Sequence, residues 1–205
     1  SMLPDVFVPE LPEDPSMYSK YLQNLIQFSI LKITNEDKQR GKMYAQQKIR
    51  NELKISSPDL TTFLKKLNLK ITIKKVDAFS LPRVSQLILK TNQFNLTTKR
   101  YQESEINLMV NDPDFFIGYV NVKDKFGDNG ITGVFIIKKE SEKIWIIDTF
   151  LLSCRVMGRD IEKGMFVYIV NEAKKNSINQ IKSKFIPTQK NKPIENFLPN
   201  CNFKK

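Results

Sequence analysis

The chain of 205 residues contains no histidine. Without histidine, neither a Ser-His-Asp triad nor a Cys-His pair can form, and the common zinc sites lose their usual ligand. Any acid-base chemistry must fall to Asp, Glu, Tyr, Lys, Cys or water. The sequence therefore excludes the histidine-dependent hydrolases, and we predict no metal site.

Cysteine and long apolar runs are also scarce. The two cysteines, Cys154 and Cys201, are far apart in the sequence, which argues against a disulfide framework. No apolar run approaches the roughly 20 residues that a transmembrane helix needs, and no basic segment followed by an apolar stretch marks a secretory signal at the N-terminus. Ser1 before Met2 is typical of a scar left by tag removal. We expect a cytoplasmic protein that is not embedded in a membrane.

Positive charge, in contrast, is in excess. Lysine and arginine total 33 against 22 acidic residues, a formal net charge of +11. Such a charge favours an acidic partner, whether nucleic acid, an anionic surface, a phosphorylated ligand or an acidic protein. The lysines are scattered, and no RNA-binding signature or zinc finger accompanies them. We therefore predict no nucleic-acid partner.

The order of helical and extended patterns along the chain predicts an α+β fold with a mixed central sheet flanked by helices. A proline-rich segment, residues 3–15, precludes a helix at the start. Strands are predicted at residues 69–74, 115–122, 131–138, 143–152 and 178–186, the middle three as an antiparallel meander. Helices are predicted from Tyr18 to Ile26, in a run after Asn35 that includes Ile49, from an N-cap at Ser57 to Leu67, and at 80–88, 103–108, 161–173 and 193–198.

A polar segment, KTNQFNLTTKRY at residues 90–101, follows the fourth of these helices. It fits neither a solvent loop rich in Gly, Pro and charge nor an apolar core element. Two interpretations stay open. The segment forms a wall of hydrogen-bonding groups around a ligand, or it is a turn whose Asn and Thr side chains satisfy their own backbone. The candidate ligand-binding residues are Asn92, Gln93, Asn95, Thr97 and Thr98.

A second candidate site is the loop between the last meander strand and the helix at 161–173. Free N–H groups and the dipole at a helix N-terminus attract phosphate, and Gly158 permits close approach to the backbone. The spacing Arg155-x-x-Gly158-x-Asp160 resembles the pyrophosphate-binding motif of the GCN5-related acetyltransferase (GNAT) fold. Asp160 departs from that motif, since a carboxylate there repels a bound diphosphate.

Cys154 precedes this loop, and two interpretations apply to it. A buried cysteine is usually a small apolar filler. Alternatively, Arg155, Arg159 and the helix N-terminus favour its thiolate, which makes a nucleophile without histidine.

Three segments resemble the C-terminal half of the FkbH-like family, the glyceryl-carrier-protein synthases grouped with subfamily IIIC of the haloacid dehalogenase (HAD) phosphatases. They are Lys90–Thr98, Phe126–Gly130 and Leu151–Arg159. Residues 191–203 are also similar to the closing segment of the GNAT fold. The resemblance implies that residues 1–56 are a lead-in and helical linker from a missing HAD phosphatase domain. It implies a GNAT-like acyltransferase domain at residues 57–205.

Complete members of that family are understood to remove phosphate from a phosphorylated glycerate. They deliver the glyceryl group to the phosphopantetheine thiol of an acyl carrier protein for polyketide extender-unit synthesis. The resemblance thus implies an acidic carrier protein as partner and no covalently bound cofactor. The alternatives are a conventional GNAT enzyme that uses acetyl-coenzyme A on an amine, with Cys154 incidental, and a non-catalytic carrier-protein docking module.

The resemblance also implies roles for particular residues. Cys154 accepts the glyceryl group as a thioester, with Asp124 or Asp128 as the candidate base. The substrate-binding set consists of the five polar residues of the segment at 90–101 together with Asn129. The phosphate- or pantetheine-binding set is Arg155, Gly158, Arg159 and Asn191.

Overall fold

A computed structural model describes residues 8–25 and 40–204, and the chain divides into two compact units, Ser1–Gly41 and Lys42–Lys205. In the first unit, Asp14 caps a single 3₁₀ turn, Pro15–Met17, by accepting a hydrogen bond from the N–H of Ser16 at 2.9 Å. Helix α1, Tyr18–Gln23, follows and confirms the predicted helix, although it ends at Gln23 with Asn24 as its C-cap. The end predicted at Ile26 and the residues 35–39 lie outside the described residues.

Two helices precede the sheet, α2 at Arg40–Ile55 and α3 at Leu60–Leu67. The predicted N-cap of α3 at Ser57 is wrong. Asp59 caps the helix instead, accepting a hydrogen bond from the N–H of Thr62 at 2.8 Å. The hydroxyl of Ser57 donates back to the carbonyl of Leu53 in α2. A carboxylate two residues further along thus replaces the hydroxyl as the helix cap.

A six-stranded sheet forms the centre of the second unit, and its order is β1-β3-β4-β5-β2, with β6 pairing parallel to β5. All other neighbours are antiparallel, and the predicted meander β3-β4-β5 is confirmed. The strands are β1 Lys70–Lys75, β2 Phe94–Asn95, β3 Phe115–Asp124, β4 Gly127–Ser141, β5 Ile144–Leu152 and β6 Gln180–Ser183.

The connection between β3 and β4 is shorter than predicted. Asp124 pairs directly with Gly127, so only Lys125 and Phe126 form the turn. The pairing of β3 with β4 shifts register twice, after Val120 and after Asn121. These shifts accommodate the polar residues of the predicted connection, which form the start of β4. β6 is also shorter than the predicted strand at 178–186.

Apolar layers cover both faces of the sheet, as alternation along β4 requires. Phe135 and Ile137 point to one face, where α6, Ile161–Lys175, packs against them through Met165 and Ile169. The opposite face carries Val134 and Ile136 under α4, Leu81–Lys90, and α5, Glu103–Val110. A 3₁₀ turn, Lys192–Ile194, and α7, Phe197–Asn200, complete the fold. The predicted α+β architecture with a mixed sheet is confirmed.

No helix within residues 8–25 and 40–204 combines the length and apolar character needed to cross a bilayer.

Gly118 provides a test of the packing between strands β3 and β4. A Cβ on Gly118 would lie 2.2 Å from Cζ of the buried Phe135 ring. Gly118→Ala should therefore lower the free energy of unfolding by about 1 to 3 kcal/mol through overpacking, measured by urea denaturation.

Gly164→Ala in α6 is the matched control. Its Cβ would meet only Cδ1 of Ile71 at 3.4 Å, and alanine favours a helix interior over glycine by about 1 kcal/mol. Equal destabilisation of the two variants would contradict the close packing assigned to Gly118.

Candidate functional site

Two different segments pair with the same edge of β5, the edge opposite β4. Residues Ile144–Ile147 pair with β6. Beyond them, residues 94–97, which we call the inserted strand, take over the same edge. Phe94 and Asn95 lie opposite Leu152 and Leu151, and the N–H of Leu96 donates to the carbonyl of Phe150 at 3.1 Å. The inserted strand therefore begins to pair where β6 ends.

The other side of the inserted strand is bound as well. The N–H of Ile186 donates to the carbonyl of Leu96 at 2.8 Å. The side-chain amide of Asn191, which is fully buried, donates to the carbonyls of Asn95 at 3.0 Å and Ile186 at 2.9 Å. Asn191, predicted to bind phosphate or pantetheine, here ties the inserted strand to the chain that follows β6.

The buried polar side chains of the segment at 90–101 bind backbone groups. Nδ2 of Asn95 donates to the carbonyl of Thr91 at 3.2 Å, and its Oδ1 accepts from the N–H of Thr98 at 3.0 Å. Thr97 Oγ1 donates to the carbonyl of Asp148 at 2.8 Å. The local bonds of Asn95 are those of the turn interpretation, whereas Thr97 binds a distant strand, β5.

Three residues of the predicted substrate-binding set are less enclosed. Asn92 is half-buried and accepts a hydrogen bond from Arg100, whereas Gln93 is exposed. Thr98, also half-buried, has a φ of 53°, so its backbone is left-handed at the end of the turn. Asn92, Gln93 and Thr98 are thus the members of the predicted substrate-binding set that are not buried.

A buried carboxylate that sequence reasoning missed lies beside the inserted strand. Asp148 occupies a bulge in β5, because Ile147 and Thr149 pair with consecutive residues of β4. Its carboxylate accepts from the hydroxyl of Tyr101 at 2.8 Å and from Thr149 at 3.1 Å, and it forms an ion pair with Lys99. The available signal was a single charged residue within the run IWIIDTFLL.

Tyr101 keeps its proton in this environment. Burial, and then the hydrogen bond and negative charge of Asp148, raise the pKa of Tyr101 well above its ordinary value. The phenol is therefore a stable donor at neutral pH, and it links residues 97–101 to β5.

A second buried cluster joins α2 to the loop after β5. Arg50 donates to both carboxylate oxygens of Asp124, from Nε at 2.7 Å and from Nη2 at 2.9 Å. Nη1 of Arg159 lies 3.4 Å from the same carboxylate. The three side chains are at most 4% exposed. Two guanidinium groups face one carboxylate, so the cluster holds one positive charge in excess.

Asp124 is held as an ion-pair acceptor. Asn129 donates to Oδ2 at 3.2 Å and the N–H of Phe126 to Oδ1 at 2.9 Å. Burial alone would raise the pKa of Asp124, but the hydrogen bonds and charge of Arg50 outweigh it and hold the pKa below its usual value. A carboxylate with its lone pairs engaged in this way is a weak proton acceptor.

Asp128, the other candidate base, lies in a different environment. It is exposed, accepts a hydrogen bond from the N–H of Gly130 at 2.7 Å, and forms an ion pair with Lys123 at 2.9 Å. The structure therefore does not bring Asp128 into the Arg50 cluster with Asp124 and Asn129.

Arg159 lies at the base of a small, cation-rich recess. Nη2 of Arg159 donates to Gln47 at 3.0 Å and to the carbonyl of Arg155 at 2.9 Å. Burial, and then the charge of Arg50, lower the pKa of Arg159 to about 10. The recess has a volume of about 50 Å³ and is lined by Gln47, Arg50, Asn51, Lys54, Phe63, Met157, Gly158 and Arg159. An anion is the ligand that this lining suits.

Cys154 is exposed, so it is not a buried apolar filler. It begins a single 3₁₀ turn, Cys154–Val156, two residues beyond the end of β5. Nη1 of Arg155, the next residue, donates to Sδ of Met43 in α2 at 2.9 Å. The described residues contain no group of three or more acidic or cysteine side chains that could hold a metal ion.

The N-terminus of α6 differs from an open phosphate site. Asp160, with a φ of 55°, makes no capping hydrogen bond through its side chain. Its carboxylate instead lies 3.0 Å from the ammonium group of Lys163. This helix end therefore carries an ion pair close to Gly158, whose own φ is 73°.

No protein-family model and no curated protein matches the sequence. Among solved structures, the chain is similar to the ribosomal-protein-S18-alanine N-acetyltransferase from Escherichia coli. The TM-score is 0.51 at 7% identity, over 66% of this chain and 79% of that one. This likeness is in fold, and the predicted GNAT-like fold is confirmed.

Two further structures are similar at lower scores. The ribosomal-protein-alanine N-acetyltransferase from Brucella melitensis has a TM-score of 0.49 at 10% identity, over 67% of this chain and 93% of that one. The Mycobacterium tuberculosis protein Rv2747, in complex with coenzyme A, has a TM-score of 0.45 at 11% identity, over 58% and 66%.

Asp124→Asn tests the buried cluster. The variant leaves two buried guanidinium groups without a counter-charge, so we expect a loss of about 3 to 5 kcal/mol in the free energy of unfolding at pH 7. Because the pKa of Asp124 is lower in the folded chain, its stabilisation is complete above the unfolded pKa of about 4. It is lost as the pH falls through the folded pKa, and the difference between wild type and variant should shrink there.

The control is Asp128→Asn, which removes an exposed ion pair and should cost at most about 1 kcal/mol. Urea denaturation of the three proteins across the acid range measures both effects. A pH-independent difference for Asp124→Asn would show that the carboxylate charge is not what stabilises the cluster.

Proposed function

We propose that this GNAT-like domain is an acyltransferase that passes a glyceryl group to the phosphopantetheine thiol of an acyl carrier protein, with Cys154 as the residue that holds the group in transit. The observation that carries the proposal is the exposed thiol of Cys154, two residues beyond the end of β5. The acyl group of a carrier protein that is too large to enter a cleft can reach such a thiol from solvent.

The second half of the reaction is a thioester exchange. The carrier thiolate attacks the carbonyl carbon of the Cys154 thioester, and a new carbon–sulfur bond forms. The bond to Cys154 Sγ then breaks, and the proton lost by the carrier thiol ends on the Cys154 thiolate. One thioester replaces another, so the step is reversible and can be examined from the glyceryl-loaded carrier.

Two further sites are part of the proposal. The side chains of Asn92 and Gln93 are not buried and can bind the hydroxyl groups of the glyceryl unit. The recess at Arg159 suits the phosphate of the carrier arm, because Lys54 and the excess positive charge of the Arg50 cluster border it. The first assignment matches the hydrogen-bonding groups of the glyceryl unit, and the second matches the negative charge of the phosphate.

Incubation with a glyceryl-loaded carrier protein tests the role of Cys154. The intact mass of the chain should increase by one glyceryl group, and the increase should disappear in Cys154→Ala. Cys201→Ala is the matched control, because burial raises the pKa of the Cys201 thiol and this variant should gain the same mass as wild type.

The other outcomes are also informative. A mass gain that persists in Cys154→Ala would place the acyl group elsewhere. No gain at all, with carrier binding intact, would indicate direct transfer or a docking module.

The excess positive charge predicts that carrier binding depends on salt. Raising the salt concentration from about 0.1 M to about 1 M shortens the screening length from about 10 Å to about 3 Å. The dissociation constant for an acidic carrier protein should therefore rise at least about tenfold. An affinity that does not change with salt would contradict electrostatic docking.

A second candidate is acetyl transfer from acetyl-coenzyme A to an amine. The cation-rich recess supports it as well, since coenzyme A carries phosphate groups. Calorimetry with acetyl-coenzyme A distinguishes this candidate from the carrier-protein reaction.

A further inference from the structure

We propose that the inserted strand, residues 94–97, permanently occupies the edge of β5 where an extended pantetheine arm would otherwise pair, so that coenzyme A is not a ligand of the gap between β5 and β6. The inference rests on the proposed function, because it restricts the acyl donors and acyl acceptors to molecules that reach Cys154 from solvent. It goes beyond that function by excluding the ligand that the fold implies.

The first argument is that segments of this chain already bind the edge of β5 along most of its length. An extended ligand with amide groups binds an exposed sheet edge through main-chain hydrogen bonds. From Ile144 to Ile147 that edge is bound by β6, and from Phe150 to Leu152 by the inserted strand. Between them, Thr97 Oγ1 binds the carbonyl of Asp148. A pantetheine arm would find its partners already taken.

The second argument is that the inserted strand is part of the core. Leu96 is fully buried and Phe94 is 5% exposed. The ring of Phe94 lies 5.3 Å from that of Phe197 and 6.1 Å from that of Phe150, measured between centroids. Displacing the strand would expose these apolar side chains to water. A ligand arm would have to replace both the hydrogen bonds and the apolar contacts.

The third argument is that polar anchors hold the strand from both directions. Tyr101 and Lys99 bind the carboxylate of Asp148 on one side. Asn191 binds the carbonyl of Asn95 on the other. Lys99 is exposed, whereas Tyr101, Asp148 and Asn191 are buried or half-buried, and the raised pKa of Tyr101 keeps its donor in place at neutral pH. The strand is therefore built in, and it is not a mobile flap.

The phosphate end of coenzyme A meets a further obstacle. Asp160 lies at the N-terminus of α6 and makes no capping hydrogen bond through its side chain. Its carboxylate, paired with Lys163 at 3.0 Å, lies at the helix end where the N–H groups would otherwise attract a diphosphate. This carboxylate adds to the filled strand edge in disfavouring the same ligand.

Hydrogen exchange of the whole chain, with and without coenzyme A, tests the inference. The amides of Leu96 and Ile186 should exchange on the order of a thousandfold more slowly than in an unfolded chain. Coenzyme A at about 1 mM should leave those rates and the thermal midpoint unchanged. Acetyl-coenzyme A should give the same result by calorimetry.

Binding of coenzyme A that alters exchange at residues 94–97, 148–152 or 186 would overturn the inference. Binding that leaves these amides unchanged would place the ligand outside the gap and uphold it. In that case Lys54→Glu, which reverses a charge at the recess, should weaken the binding at least tenfold.

Variants of the anchors test whether the strand is permanent. Tyr101→Phe and Asp148→Asn should speed exchange at Leu96 by about tenfold or more relative to Glu140→Gln, an exposed ion-pair variant. Neither variant should gain affinity for coenzyme A. A gain of tenfold or more in Tyr101→Phe, which removes one hydroxyl only, would overturn the inference by showing a displaceable strand.

The outcome is separable from that of the proposed function. Glyceryl uptake by Cys154 together with coenzyme A binding in the gap would contradict this inference and leave the proposed function intact. Absence of both would remove the proposed function and leave the filled edge intact.

Discussion

The hydrogen-bonding requirement of β5 organises this structure. A strand inside a sheet needs partners on both edges, and β6 provides them only as far as Ile147. The inserted strand supplies the remaining partners, and several polar residues hold it in place. Asn191 binds it from one side, and Tyr101 with Asp148 holds its far end. The polar character of residues 90–101 follows from this need for buried backbone partners.

The Arg50 cluster holds the loop after β5 in place, as the polar anchors hold the inserted strand. Arg50 reaches from α2 to Asp124 at the end of β3, and Arg159 joins the same carboxylate from the loop. The loop that carries Cys154 is thereby fixed between a helix and the sheet. Because the cluster keeps one positive charge in excess, the adjoining recess at Arg159 attracts an anion without any movement of the chain.

Regular periodicity made the sheet and its helices predictable, whereas partners distant in the sequence were not. Alternating and apolar runs located β3, β4 and β5, and spacing located α6. β2 could not be found, since a two-residue strand exists only because Leu151 and Leu152 lie opposite it. The pairing of Asp124 with Arg50 spans 74 positions, and no local pattern signals it. Asp148 was visible as a lone charge in an apolar strand, but its partners Lys99 and Tyr101 were not.

The inserted strand also determines when the domain can be complete. Its contacts join Leu96 to Phe150 and to Ile186, three points far apart along the chain. Contacts of such long sequence separation form slowly, because a large loop must close before they contribute. During synthesis, the meander can assemble while the edge of β5 is still half open. Because Ile186 and Asn191 hold the inserted strand, the edge of β5 can be fully bound only after these later residues have been synthesised.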